Sequence, residues 1–177
     1  MDNTYFLSSK RIGLRTLTRD DMPVYQGFLN NKDVTKYLEM GWRPYTEKDL
    51  EATYQEANNA TSALVFAVCD IKTNKLIGTA GLYFLHWPGR RAQYRILLGK
   101  PEIYGKGFGS EVTNLIIKHG FERLNLNTIY LGVNAENKGA IRSYEKCGFV
   151  HEGVQRAFIY NDGRYYDCVN MSILAND

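Results

Sequence analysis

Apolar positions in this chain of 177 residues switch repeatedly between a two-residue spacing and one of three to four. The first lays one face of a strand against a core, and the second does the same for a helix. Ile12, Leu14 and Leu17 predict a strand, after which Thr18 or Asp20 caps a helix to about Leu29. Thr46 stands before Glu47 and Asp49, a capping-box variant whose early acids suit the helix dipole, and predicts a second helix over 47–58. The intervening "DVTKYLEMGWRPYT" reads as a loop or a short helix.

"SALVFAVCD" and "LIGTAGLYFL" flank the polar "IKTNK" and predict a hairpin. "HWPGRR" turns the chain and "AQYRILLG" supplies another strand. Phe108, Val112, Leu115, Ile116 and His119 recur at helical spacing and predict a helix over 107–123. "TIYLGV" is a short strand, and "NKGAIRSYEKCGF" a helix over 137–146 stopped by Gly148. "FVHEGVQRAFIY" and "YYDCVNMSIL" close the chain as a hairpin turning at Asp162-Gly163. No repeat or linker interrupts this order, so residues 1–177 form one α/β domain around a mixed sheet.

Composition narrows the function classes. The 44% hydrophobic and 23% charged fractions are those of an ordinary globular domain. A net charge of +3 without long runs of one sign argues against a nucleic-acid binder and suits an anionic small ligand. Cys69, Cys147 and Cys168 are widely spaced and suggest neither a disulfide framework nor a zinc site. No stretch approaches 18 apolar residues, and the N-terminus has no signal pattern, so no membrane partner and a cytoplasmic location are expected.

"PEIYGKGFGSE" packs Gly105, Gly107 and Gly109 into five positions ahead of a helix. Neither the nucleotide P-loop nor the dinucleotide fingerprint has this spacing. Two readings stay open at this point: a structural turn, or a bare loop that closes on a phosphate at a helix N-terminus.

A second segment, "NAENKGAIRSYEKCGF", carries Asn137, Ala140, Tyr144, Gly148 and Phe149 in the pattern N-x-x-[AS]-x-x-x-Y-x-x-x-G-F. Together with the glycine loop some thirty residues upstream, it resembles the GNAT superfamily of acyl-CoA-dependent N-acetyltransferases. Gly153, Arg156, Asp162-Gly163, Tyr166-Asp167 and Met171 make it similar to the Rim-type branch, which includes ribosomal-protein N-terminal and spermidine acetyltransferases. The resemblance implies a mixed, mostly antiparallel sheet of six to seven strands with about four helices. It also implies acetyl-CoA as donor and a small-molecule or peptide amine as acceptor, with no nucleic acid. The closing hairpin's edge strands are compatible with a homodimer. A catalytically weak CoA-binding or sensing member of the same fold is the alternative.

The resemblance also implies roles. Tyr144 is the candidate general acid, against a packing role on the sheet. Backbone groups of Leu98 and Gly99 are expected to meet the pantetheine arm. Amides of Gly105, Lys106, Gly107, Phe108, Gly109 and Ser110 are expected to hold the pyrophosphate, and Asn137 to cap its helix and touch the cofactor. Glu39, Trp42 and Tyr45, with Tyr37 and Met40, are expected along the acceptor wall, with His86 a candidate base. Each of these has a plainer role as a solvated or packing side chain. Two departures stand out. Tyr104 replaces the Gln or Arg that begins the family's loop signature, and Gly132 and Gln93 occupy positions where relatives often carry a glutamate base. His119 is expected to face the core, His151 the surface, and Cys147 to pack. No metal site is expected.

Overall fold

The computed structural model describes residues 5–40, 42–58 and 61–177. Among these, β1 (Leu7–Ser8) and β2 (Ile12–Thr16) lead into α1 (Met22–Leu29), α2 (Lys32–Thr35) and α3 (Glu47–Ala57). Then come β3 (Ala63–Asp70), β4 (Lys75–His86), β5 (Arg91–Leu98), α4 (Phe108–Glu122), β6 (Thr128–Asn134), α5 (Lys138–Lys146), β7 (Val150–Asn161) and β8 (Arg164–Leu174). The strands form one sheet in the order β1-β2-β3-β4-β5-β6-β8-β7. The expected α/β architecture holds, with two short additions. Two-residue β1 is too short to show alternation, and four-residue α2 occupies the stretch read as a loop or short helix.

Local chemistry sets the boundaries. Thr46 Oγ1 accepts from the Asp49 amide at 3.3 Å while the Asp49 carboxylate accepts from the Thr46 amide at 2.8 Å, closing the capping box of α3. Thr18, not Asp20, opens the first helical segment: its amide donates to Asp21 at 2.8 Å, and a 3-10 turn over Arg19–Asp21 delays α1 to Met22. Asp162 and Gly163 both have positive φ, 47° and 81°, as a two-residue type I′ hairpin requires.

Both faces of the sheet are covered, which explains the nearly continuous apolar run of β3. Phe66 and Val68 join a core with Val112 and Ile116 of α4 and Ile141 of α5, whereas Ala67 and Cys69 pack with Tyr25 and Phe28 of α1 and Leu50 of α3. His119 is buried on the α4 side, edge-on to Phe6 and Phe66. No helix among the described residues is long and apolar enough to cross a membrane.

The centre of the sheet is where it fails to close. β5 and β6 form its parallel pair, through Arg91–Thr128, Ala92–Ile129 and Gln93–Tyr130 alone. Beyond Gln93 the two strands part: β5 stays with β4 as far as Leu98, and β6 stays with β8 as far as Asn134.

Candidate active site

The parting leaves backbone groups without partners. Gly99 donates to the Ile77 carbonyl at 2.8 Å, which makes Gly78–Leu98 a pair that exchanges no hydrogen bonds. Leu98, and by alternation Ile96 and Tyr94, therefore turn their N–H and C=O groups away from β4 and into the gap. The Leu98 N–H faces the gap, while its carbonyl accepts the Tyr104 hydroxyl. Gly99 is not placed as expected: its amide is engaged by Ile77, and the Phe28 ring fills the space where a Cβ would stand.

The glycine loop lies at the open end of this gap. Gly105 and Gly107 have φ of 73° and 83°, a left-handed backbone that bulkier residues adopt at a cost. The first intrahelical bond of α4 runs from the Glu111 amide to the Gly107 carbonyl at 3.1 Å. Among the described residues, the amides of Gly105, Gly107, Phe108, Gly109 and Ser110 have no acceptor. Lys106 departs from expectation, because its amide closes a turn onto the Ile103 carbonyl at 3.3 Å.

Sequence reasoning missed the brace that shapes this loop. Arg11 donates from Nη1 to the Lys106 carbonyl at 3.0 Å, lies over the Phe108 ring at 4.3 Å, and pairs with Glu111 at 2.7 Å. Ser9 and the Arg11 amide also bind the Glu111 carboxylate. Burial raises the Glu111 pKa, but the hydrogen bonds from Ser9 and Arg11 outweigh it and hold the group below its usual range. A carboxylate in the first turn would otherwise repel a phosphate, and Arg11 neutralises it. Tyr104, in place of the signature Gln or Arg, donates its hydroxyl to the Leu98 carbonyl at 2.6 Å and pins the loop to the strand end.

Tyr144 stands over the point where the strands part. Its ring meets that of Tyr94, the first β5 residue beyond the last β5–β6 pair, edge-on at 6.2 Å, and Phe149 at 5.8 Å. The Tyr94 hydroxyl is engaged by Thr113 Oγ1 at 2.9 Å. The Tyr144 hydroxyl has no hydrogen-bond partner among the described residues, so it does not bind a backbone carbonyl. Burial pushes its pKa up, so it holds its proton throughout the neutral range. Asn137 caps α5, its Oδ1 accepting from the Ala140 amide at 3.1 Å, and the Ser110–Ser143 hydroxyl contact at 2.8 Å fixes α5 to α4. Cys147 packs between these helices as expected.

On the opposite face the side chains of Gln93 and Arg95 from β5 confront Gly132 and Asn134 from β6. Arg95 Nε donates to Gln93 Oε1 at 2.9 Å. A Cβ on Gly132 would lie 2.9 Å from Cys168 Sγ, so a glutamate there has no room unless Cys168 moves. Burial and then the charge of Glu39 raise the Cys168 thiol pKa. Tyr45 packs with the α1–α3 cluster, its carbonyl accepting from Gln26 at 2.8 Å. Tyr37 is half-buried with the Lys36 ammonium over its ring, Glu39 is exposed, and Met40 packs against the same cluster as Tyr45. Trp42 is not brought to the wall, being 80% exposed and stacked on Arg43. His86 is also excluded. It pairs with Arg91 beyond the closed end of the gap, and its Nδ1 accepts from the Gly89 amide at 2.9 Å. The hairpin tip holds the acceptor loop: Asn161 Nδ2 donates to the Lys36 carbonyl at 2.8 Å.

A sheet parted beside a helix mouth of free amides, with an unengaged phenol over the parting, defines an acyl-CoA-dependent transferase. The chain belongs to the acetyltransferase (GNAT) domain family, whose profile matches residues 11–150. It is 36% identical over 171 residues to spermidine N(1)-acetyltransferase of Vibrio cholerae, covering 94% of each chain. It is 32% identical to the Escherichia coli K12 enzyme of the same name, covering 94% of this chain and 87% of the relative. The crystal structure of the Vibrio cholerae enzyme with CoA and spermine superposes with a TM-score of 0.85 at 33% identity, covering 95% of this chain and 98% of that one. The chain is an acetyl-CoA-dependent N-acetyltransferase that acts on an amine.

Proposed function

We propose that the chain acetylates the primary amine of a small acceptor by direct attack within a ternary complex, with Tyr144 as the general acid. Acetyl-CoA supplies the acetyl group, and coenzyme A departs as the free thiol. The unpartnered Tyr144 hydroxyl above the parting of β5 and β6 carries this reading. The remaining parts fit the donor: free amides at Gly105 and over Gly107–Ser110 suit a pyrophosphate, and the gap-facing groups of Ile96 with the N–H of Leu98 suit the amides of the pantetheine arm.

In the transfer, the amine nitrogen bonds to the acetyl carbon as the carbon–sulfur bond breaks. Tyr144 gives its proton to the sulfur and recovers one from solvent, and the proton shed by the amine passes to water. No side-chain base is invoked. Gln93 cannot take up a proton, its oxygen is held by Arg95, and Gly132 offers nothing. The acceptor must then arrive neutral. An amine of pKa near 8 supplies far more neutral form at pH 7 than one near 10.4.

Free-thiol release with acetyl-CoA and a panel of small amines and peptides tests this reading. Turnover on a small amine, with micromolar to millimolar acetyl-CoA KM, is expected. Absence of both turnover and calorimetric acetyl-CoA binding would sink it.

A further inference from the structure

The acceptor face of the parted sheet carries a cation with no counter-ion. Arg95 is the first β5 residue on this face beyond the last β5–β6 pair, so it borders the mouth at which the amine must arrive. It is exposed, and among the described residues it makes no ion pair. Its guanidinium is nevertheless held, lying over the rings of Tyr83 and Phe84, each at 4.9 Å, with Nε on Gln93. Phe84 takes this position at a φ of 51°, inside the irregularity of β4 between Tyr83 and His86. An aromatic residue in the left-handed region is costly, and bulges of this kind re-aim side chains beside active sites. Burial, Tyr25 and then Glu56 raise the Tyr83 phenol while Arg95 opposes them, so the α3 carboxylate is a neighbour without being a partner.

The other bank differs. Asn134 follows Gly132 on the same face of β6 and is 2% exposed; its Oδ1 accepts from the Glu136 amide, and its Nδ2 has no partner. Glu39 is exposed, and its charge raises the Cys168 thiol pKa on this bank. The mouth therefore carries the charge of the exposed Glu39 on the β6–β8 side and a fixed guanidinium on the β5 side. A polycation gains from the first and is repelled by the second. A molecule with an amine at one end and an anion at the other satisfies both.

Resting on the acetyltransferase reading above, we infer that the acceptor carries an anionic group, a carboxylate or a phosphate, close to its amine, and that Arg95 binds it and selects against polyamines. Thiol release should be measured with γ-aminobutyrate and glucosamine 6-phosphate against their counterparts without the anion, butylamine and glucosamine, and against spermidine. The anionic member of at least one pair is expected to exceed its counterpart in kcat/KM by roughly tenfold or more, the worth of one charge-assisted contact. The pair that responds distinguishes carboxylate from phosphate. Arg95→Ala should remove that preference while acetyl-CoA affinity by calorimetry is unchanged, and Arg95→Glu should raise turnover of spermidine. If all five amines are used without regard to the anion, or spermidine is preferred and Arg95→Ala changes nothing, the inference fails and the acetyltransferase reading survives. If no amine on any panel releases thiol and acetyl-CoA does not bind, the reading beneath it fails as well.

Discussion

The proposed acid role of Tyr144 rests on three things that coincide there: an edge contact with Tyr94 at the parting of the strands, a half-buried ring, and a hydroxyl with no partner among the described residues. Tyr144→Phe preserves the packing and removes only the proton, so kcat should fall by about 10² to 10⁴ with little change in acetyl-CoA KM, as read by initial rates. With no side-chain base in the proposed mechanism, kcat/KM should climb about tenfold per pH unit below the acceptor's own pKa, and a plateau near pH 7 for an amine of pKa 10 would contradict this. Tyr144 was legible in the sequence because its motif is local: Asn137, Ala140, Gly148 and Phe149 stand at fixed offsets from it on one helix and its cap. Arg11 and Arg95 were not. Arg11 meets Glu111 one hundred residues away, and the importance of Arg95 depends on where β5 and β6 stop pairing, which no local pattern encodes.

Among the elements, the mouth of α4 is the most sensitive to backbone substitution. A Cβ at Gly107 would lie 3.4 Å from Arg11 Nη2 on a backbone of positive φ, so Gly107→Ala should cost about 1–2 kcal/mol of stability and raise acetyl-CoA KM more than it lowers kcat. Chemical denaturation and initial rates measure the two effects. The glycine spacing announced this loop, yet its brace from the β1–β2 turn stayed hidden, because β1 is only two residues long. β7 poses a different question. It is an edge strand of twelve residues, and Val150, Val154, Phe158 and Tyr160 are each more than half exposed along it. Such an edge suits pairing with a second copy of the chain. Sedimentation should show a species heavier than the 20.3 kDa monomer that Val154→Lys dissociates; a monomer at high concentration would rule the pairing out.

For the whole molecule, stability should follow one histidine and two carboxylates. Burial and then Arg123 hold His119 below its ordinary pKa, so the unfolded chain takes up that proton first. Its contribution is complete above pH 6.5 and drains away as pH falls through the folded value, and His119→Gln should flatten that limb of a melting-temperature profile. The carboxylates act lower. For Asp21, as for Glu111, burial raises the pKa but hydrogen-bond donors, here Arg15 with Thr18, bring it below the usual value. Their stabilisation is present above about pH 4 and is lost as acid reaches the folded values.

Asn161 joins two parts of the molecule that the chain order keeps apart. By donating to the Lys36 carbonyl from the tip of the β7–β8 hairpin, it ties the edge strand to the segment proposed as the acceptor wall. Traffic at the entrance and company at the edge then become one mechanical question, and Asn161→Ala would let each proceed deaf to the other.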